Sequence, residues 1–345
     1  MTFDWIATVL SLIFLAGVHL DGWAHSHGRV DDTFFTPWHA ILYGGFLAMA
    51  ALLLGKAAWR VARGARWRDA VPDGYGLSLV GVSLWFVGGP FDLAWHSIFG
   101  FEANVEALLS PAHAVLAVGF CLMTMGPLRS ALRRPPGRWR DELPMLLSLT
   151  CLVSNLTFFT QIAHPLANLW AAGPRRWSQD VTELGIVSML LTTVILVAPL
   201  LLLLREGRLP TGAVAIMVGL NSIATGFLFD HGPYPVVPVA AMVAAAIAGD
   251  GLRALLRPSA SRPAAFRWFA IGVSALLYAG YFAALAVTVG IGYSPHLWMG
   301  VIVFAAVIGW LLSYLLLPPR VVVLREPATV YDRPNASAKR RYASR

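Results

Sequence analysis

Asp21, His25 and His39 are the residues of this chain whose types and spacing could do chemistry together. Asp21 and His25 stand four apart, so a helix running through both stacks their side chains on one face, as two ligands of a single metal ion require. His39 follows Thr36-Pro37, a helix-start signal: the threonine caps, the proline fits the first helical position, and His39 projects from the first turn. The set then recurs. Asp92 and His96 repeat the Asp-x-x-x-His step, and Ser110-Pro111-Ala112-His113 repeats Thr36-Pro37-Trp38-His39, each followed by an apolar stretch with a Gly-Phe pair. One acid and two imidazoles suit a first-row transition metal better than calcium or magnesium, which take mainly oxygen. The six residues could build one dinuclear site or two mononuclear ones, and spacing does not separate the two. The plainer reading makes them interfacial residues that cap helices and bond to one another. Ionisable groups near membrane depth are costly and usually functional, and repetition of the ligands together with their caps favours the metal site.

The elements that must hold these residues are membrane helices. With 57% hydrophobic residues, only 13% charged residues and a mean hydropathy of +0.66, a chain of 345 residues reads as an all-α, polytopic membrane bundle. Ten spans fit the apolar runs: about 3–21, 38–59, 77–96, 111–128, 144–164, 182–204, 211–230, 235–256, 268–289 and 296–317. The first run lacks a basic leader and a small-residue cleavage site, so it reads as a helix that stays. Arginines crowd the loops after the second, fourth, sixth and eighth spans (Arg60 to Arg68, Arg129 to Arg140, Arg205 and Arg208, Arg253 to Arg267). The positive-inside rule then places those loops and both termini in the cytoplasm of a cell membrane, with the Asp/His sets near the outer face. The +8 charge follows topology and does not gather into a groove for phosphates, which argues against nucleic acid as a partner. Cys121 and Cys151 lie in apolar runs and form no CxxC pattern, so they read as packing residues.

In that orientation all nine histidines fall at outer helix ends or in outer loops. The chain reads as repeated helical hairpins: residues 1–128 as duplicated metal-binding hairpins, 144–317 as further, degenerate hairpins, and 318–345 as a polar, basic cytoplasmic tail.

The run from Asp21 and His25 through Asp32-Thr33-Phe34-Phe35-Thr36-Pro37-Trp38-His39 resembles the copper-site segment of the C subunit of the copper membrane monooxygenases, the particulate methane and ammonia monooxygenase family. There an Asp, a His four residues on and a second His after an Asp-Thr-x-Phe-Thr-Pro run bind copper within the membrane. The resemblance implies Asp21, His25 and His39 as copper ligands, with Asp92, His96 and His113 as a looser echo. It further implies dioxygen and a small apolar substrate for an oxidising enzyme, and additional membrane or periplasmic subunits beside the lipid bilayer. The likeness spans about twenty residues and its echo; the His-to-His intervals are longer than the family's, and no cupredoxin-like region is present. Two other functions share the donor set: a membrane protein that captures and hands on copper, and a zinc-dependent membrane hydrolase. Iron is a third metal of matching chemistry. No nucleophilic triad, P-loop or dinucleotide fingerprint occurs.

Lesser candidates surround this set. His27 points away from His25 on a helix but could join from a loop. His19 could orient a ligand through its ring, or be a hydrogen-bonded interface histidine. His164, Asp230 and His231 could complete a site or line an entry path, and His296 reads as structural. Glu102 and Glu106 suggest a short amphipathic outer helix with a solvated face. Asp250 and Arg253 read as an ion pair, Met123 and Met125 as packing, and the tryptophans near span ends, Trp38 and Trp95 included, as interfacial belts.

Overall fold

The computed structural model describes residues 2–29, 36–100, 105–173, 178–228 and 236–319. The helices are α1 (Thr2–Ser26), α2 (Pro37–Ala62), α3 (Trp67–Ala70), α4 (Gly76–Phe99), α5 (Val105–Leu109), α6 (Pro111–Thr124) and α7 (Gly126–Leu132), then α8 (Trp139–Phe159), α9 (Gln179–Arg205), α10 (Ala213–Leu228), α11 (Val236–Leu256), α12 (Pro263–Thr288) and α13 (Pro295–Leu316). Among the described residues the only strand-like pairings are two isolated bridges, Ala172 with Ile291 and Ser259 with Arg262. Among the described residues nine helical stretches, with α6 and α7 joined as one, are long and apolar enough to cross a membrane, so the chain is a multi-pass membrane protein. The remaining expected span is α10, 16 residues long, which runs up to residues 229–235 outside the described set.

Helix ends follow the local chemistry. Prolines open α2, α6, α12 and α13, where a missing N–H costs nothing. Pro127 breaks the fourth span between α6 and α7, since it cannot donate to the Met123 carbonyl one turn back. Ser78 of α4 donates to that carbonyl instead, at 3.0 Å, and Arg129 Nη2 donates to the Leu122 carbonyl at 2.7 Å. The first helix runs to Ser26, five residues past its expected end, and so carries Asp21 and His25 on one continuous turn sequence.

Two apolar cores form. One is built almost wholly from α1, α2, α4 and α6, with Phe14, Phe46, Trp85, Phe120, Met49 and Met123 at its heart. The other joins α7 to α13 around Leu196, Leu200, Phe266, Phe269, Tyr278 and Tyr281. Two buried carboxylates near the other end of the bundle from Asp21 and His25 are answered by cations. Asp4 accepts from Tyr75 Oη at 2.7 Å and from Arg134 Nη1 at 2.6 Å, and Glu142 pairs with Arg208 at 3.1 Å. Asp250 does not pair with Arg253 as its spacing suggests. Its carboxylate accepts the Gly212, Val214 and Ala215 amides at the start of α10, while Arg253 reaches Thr211 and the Leu209 carbonyl. Orphan amides at a helix N-terminus offer a carboxylate several donors at once, and here they outcompete one guanidinium a turn away.

Candidate metal centres

The first hairpin, α1 with α2, and the second, α4 with α6, are built on one plan. Asp92, His96 and Gly88 follow Asp21, His25 and Gly17 by 71 positions, while His113, Leu116 and Gly119 follow His39, Leu42 and Gly45 by 74. The close contacts repeat in the same register. A Cβ on Gly17 would lie 2.7 Å from the Leu42 backbone, and one on Gly88 2.8 Å from the Leu116 side chain. Glycine at these points lets the helix pairs approach closely. One turn on from each glycine comes the aspartate, and three residues before each leucine comes the second histidine, so the close crossing delivers the acid to the imidazole. The capping oxygens sit as the sequence suggests: the His39 amide donates to Thr36 Oγ1 and the His113 amide to Ser110 Oγ, both at 3.3 Å.

The equivalents Phe14 and Trp85 meet at 4.7 Å between ring centroids. The cross contacts Phe14 with Phe120 (4.8 Å) and Phe46 with Trp85 (5.2 Å) exchange under the repeat. Equivalent residues meeting each other means that the hairpins are related by an approximate two-fold axis through this aromatic cluster, with both acid–histidine sets at the same end of the bundle.

All six expected residues are brought together, as two groups of three and not as one group of six. In each group one ligand atom per residue lies within 4.8 Å of the others. Asp21 Oδ1 is 3.2 Å from His39 Nε2 and 3.9 Å from His25 Nε2; Asp92 Oδ1 is 3.5 Å from His96 Nε2 and 3.4 Å from His113 Nε2. Ligands of one ion with bonds of about 2.0–2.1 Å sit roughly 3.0–4.2 Å apart, the range these separations occupy.

Two further observations fit a cation. Asp21 Oδ1 is sealed from solvent yet accepts no hydrogen bond among the described residues, although two imidazole nitrogens face it. His96 Nδ1 lies 3.3 Å from the Gly100 carbonyl, which can only accept, so the neutral ring carries its proton on Nδ1 and turns the Nε2 lone pair toward Asp92. In a neutral ring this sets a lone pair against a carboxylate oxygen, which a positive ion between them makes favourable. The set of two nitrogens and one oxygen suits copper, zinc or iron.

Tyr43, one turn beyond His39 on α2, links the groups. It meets His39 edge-on at 6.1 Å and Trp85 at 5.9 Å, faces Gly89, three residues before Asp92, where a Cβ would lie 3.5 Å from its ring, and stands near enough to feel the charge of both aspartates. The sequence reading passed over Tyr43 and Trp85. The available signal was the Gly-x-x-x-Asp-x-x-x-His period that places Gly17 and Gly88 on the ligand faces.

The lesser candidates lie elsewhere. His27 stacks on Trp23 at 4.8 Å and bonds to its carbonyl, outside the first group. His19 is buried, hydrogen-bonded to the Leu15 carbonyl and set against Phe158. His164 is fully buried with Nδ1 accepting the Leu166 amide, and burial holds its pKa down to about 3. His296 is exposed. Met123 is a core residue, and Cys121 and Cys151 are unpaired thiols. Glu106 is exposed on α5, whereas Glu102, Asp230 and His231 lie outside the described residues.

Neither a protein-family model, nor a curated protein, nor a solved structure matches this chain.

Proposed function

We propose that the chain is a membrane metalloprotein holding one transition-metal ion at each group, with Asp21, His25 and His39 as one ligand set and Asp92, His96 and His113 as the other. The observation that carries this reading is the duplication: two independent hairpins converge one carboxylate oxygen and two imidazole nitrogens with like separations and like caps. Three protein ligands leave room for a further one, the arrangement of a reactive rather than a purely structural site.

Copper is the metal we favour, on the resemblance of Asp21 to His39 to the C-subunit segment of the copper membrane monooxygenases. Copper there would supply one-electron chemistry toward dioxygen, with a small apolar substrate reaching the site from lipid. The protein's own part is to hold the ligands and limit water. The aspartates orient the imidazoles, Gly100 sets the His96 tautomer, and the Phe14, Phe46, Trp85 and Phe120 cluster closes the floor. Arginine placement puts both sites toward the outer face and the termini inside. Zinc is the second reading, because the same donor set with an open position also suits a hydrolytic ion.

Elemental analysis of protein purified from its native membrane, joined to electron paramagnetic resonance, tests the proposal. Two ions per chain are expected, falling to one in His39→Ala or His113→Ala and to none in the double variant. Copper by elemental analysis, with a cupric signal after oxidation, identifies copper, and zinc by elemental analysis with no signal after oxidation identifies zinc. Unchanged metal content in the double variant refutes the assignment.

A further inference from the structure

At the opposite end of the bundle from the two acid–histidine groups, α3, the loop into α4 and the end of α7 enclose a cleft of about 370 Å³. Arg68, Arg129 and Arg133 line it, with Asp73 as its one carboxylate. The floor is built rather than incidental. Gly74 adopts a positive φ of 90° and lies so close to α7 that a Cβ there would sit 2.4 Å from the Ser130 amide. Arg129 Nε donates to the Gly74 carbonyl at 2.8 Å and its Nη2 to Ser78 Oγ at 2.8 Å, which locks that guanidinium in place. Its Nη1 makes no hydrogen bond among the described residues. Arg133 opposes the charge of Arg129, and none of the three arginines forms an ion pair among the described residues. One anchored guanidinium with a second arginine near enough to oppose its charge, a third on the same wall and a single acid among them call for an anion. A tetrahedral phosphate matches planar guanidinium forks. Val71, Pro72 and Leu77 give its wall apolar surface, and Trp67 and Leu132, the chain neighbours of Arg68 and Arg133, are exposed apolar side chains as well. That combination of a cationic pocket with an apolar rim at a helix-bundle end is what a lipid headgroup with its chains would fill.

We propose that this cleft binds the phosphate group of an anionic phospholipid, independently of the metal reading. Arg129 is the fixed donor at the floor, Arg68 and Arg133 close over the phosphate, and the acyl chains run past Leu77 and Trp67. The test is native mass spectrometry of the whole protein in detergent with added phosphatidylglycerol or phosphatidylcholine, for the wild type and for Arg68→Gln with Arg133→Gln. Both substituted side chains are exposed, and a thermal melt of the double variant checks its fold. The wild type is expected to retain phosphatidylglycerol at least tenfold better than phosphatidylcholine, and the double variant to lose that preference. A parallel titration with inorganic phosphate separates the sources. Displacement of the lipid by phosphate means that the cleft also takes the free anion, and no displacement assigns it to lipid alone. Equal retention of both lipids by the wild type, or an undiminished preference in a folded double variant, overturns the proposal.

Discussion

The close helix crossing that assembles the first acid–histidine group makes a sharp prediction through Gly17→Ala and Gly88→Ala. At Gly17 the new methyl would lie 2.7 Å from Leu42 Cα and 2.9 Å from Leu42 N, both backbone atoms. Ordinary carbon contacts are about 3.5–4.0 Å, so the two helices must part by roughly 1 Å. His39 is three residues from that contact and Asp21 four from the substituted glycine, so their 3.2 Å separation opens to about 4 Å if the helices move as rods. Metal bonds tolerate departures of only about 0.2 Å. Overpacking costs about 1–3 kcal/mol, which, charged to binding, weakens the first site roughly ten- to a hundredfold. At Gly88 the nearest atom is Leu116 Cδ2 at 2.8 Å, the far end of a flexible side chain that can turn aside. Metal content per chain, measured after dialysis against a weak chelator, is therefore expected to fall from two to about one in Gly17→Ala. In Gly88→Ala it stays near two. The retained second ion serves as an internal check that Gly17→Ala has folded. Equal loss in the two variants, or none in Gly17→Ala, would refute the link between the glycine contact and the site.

Two further outcomes concern stability. Asp4→Asn strips the buried anion facing Arg134 and is expected to lower stability in detergent by about 3 kcal/mol; Asp4→Leu with Arg134→Met, which removes both charges, should recover most of that, and a pair no better than the single change would count against the ion-pair account. His164 has a folded pKa near 3 against an ordinary 6.5, so below pH 6.5 only the unfolded chain takes up its proton. Stability should then drop as pH falls from about 6.5 toward 3, by at most about 1.4 kcal/mol per unit from this residue. His164→Asn, whose amide oxygen can still accept the Leu166 N–H, should melt with a shallower pH dependence than the wild type, and matching slopes would show that His164 stays accessible to protons.

The six acid and histidine residues, their two helix caps and the membrane class of the chain were all legible from the sequence by itself. Each is a local or compositional property: a four-residue step places two side chains on one helical face whatever surrounds it, and Thr36 and Ser110 cap through atoms only three residues away. The repeat was legible too, because it restates types and spacing together. How the two copies meet belonged to tertiary structure. Whether the six residues gathered into one group or two depended on the approach of α1 to α2 and of α4 to α6, set by Gly17, Gly45, Gly88 and Gly119 and by the Phe14, Phe46, Trp85 and Phe120 cluster between the hairpins. Apolar periodicity marks such residues as buried without saying which partner they bury against. Asp250 shows the same limit: the sequence put Arg253 within reach, but the amides opening α10, about 35 residues away in the chain, took the carboxylate. Short-range geometry is written in the order of residues, whereas the choice among distant partners is settled only when the helices pack and every buried polar group finds its strongest available donor.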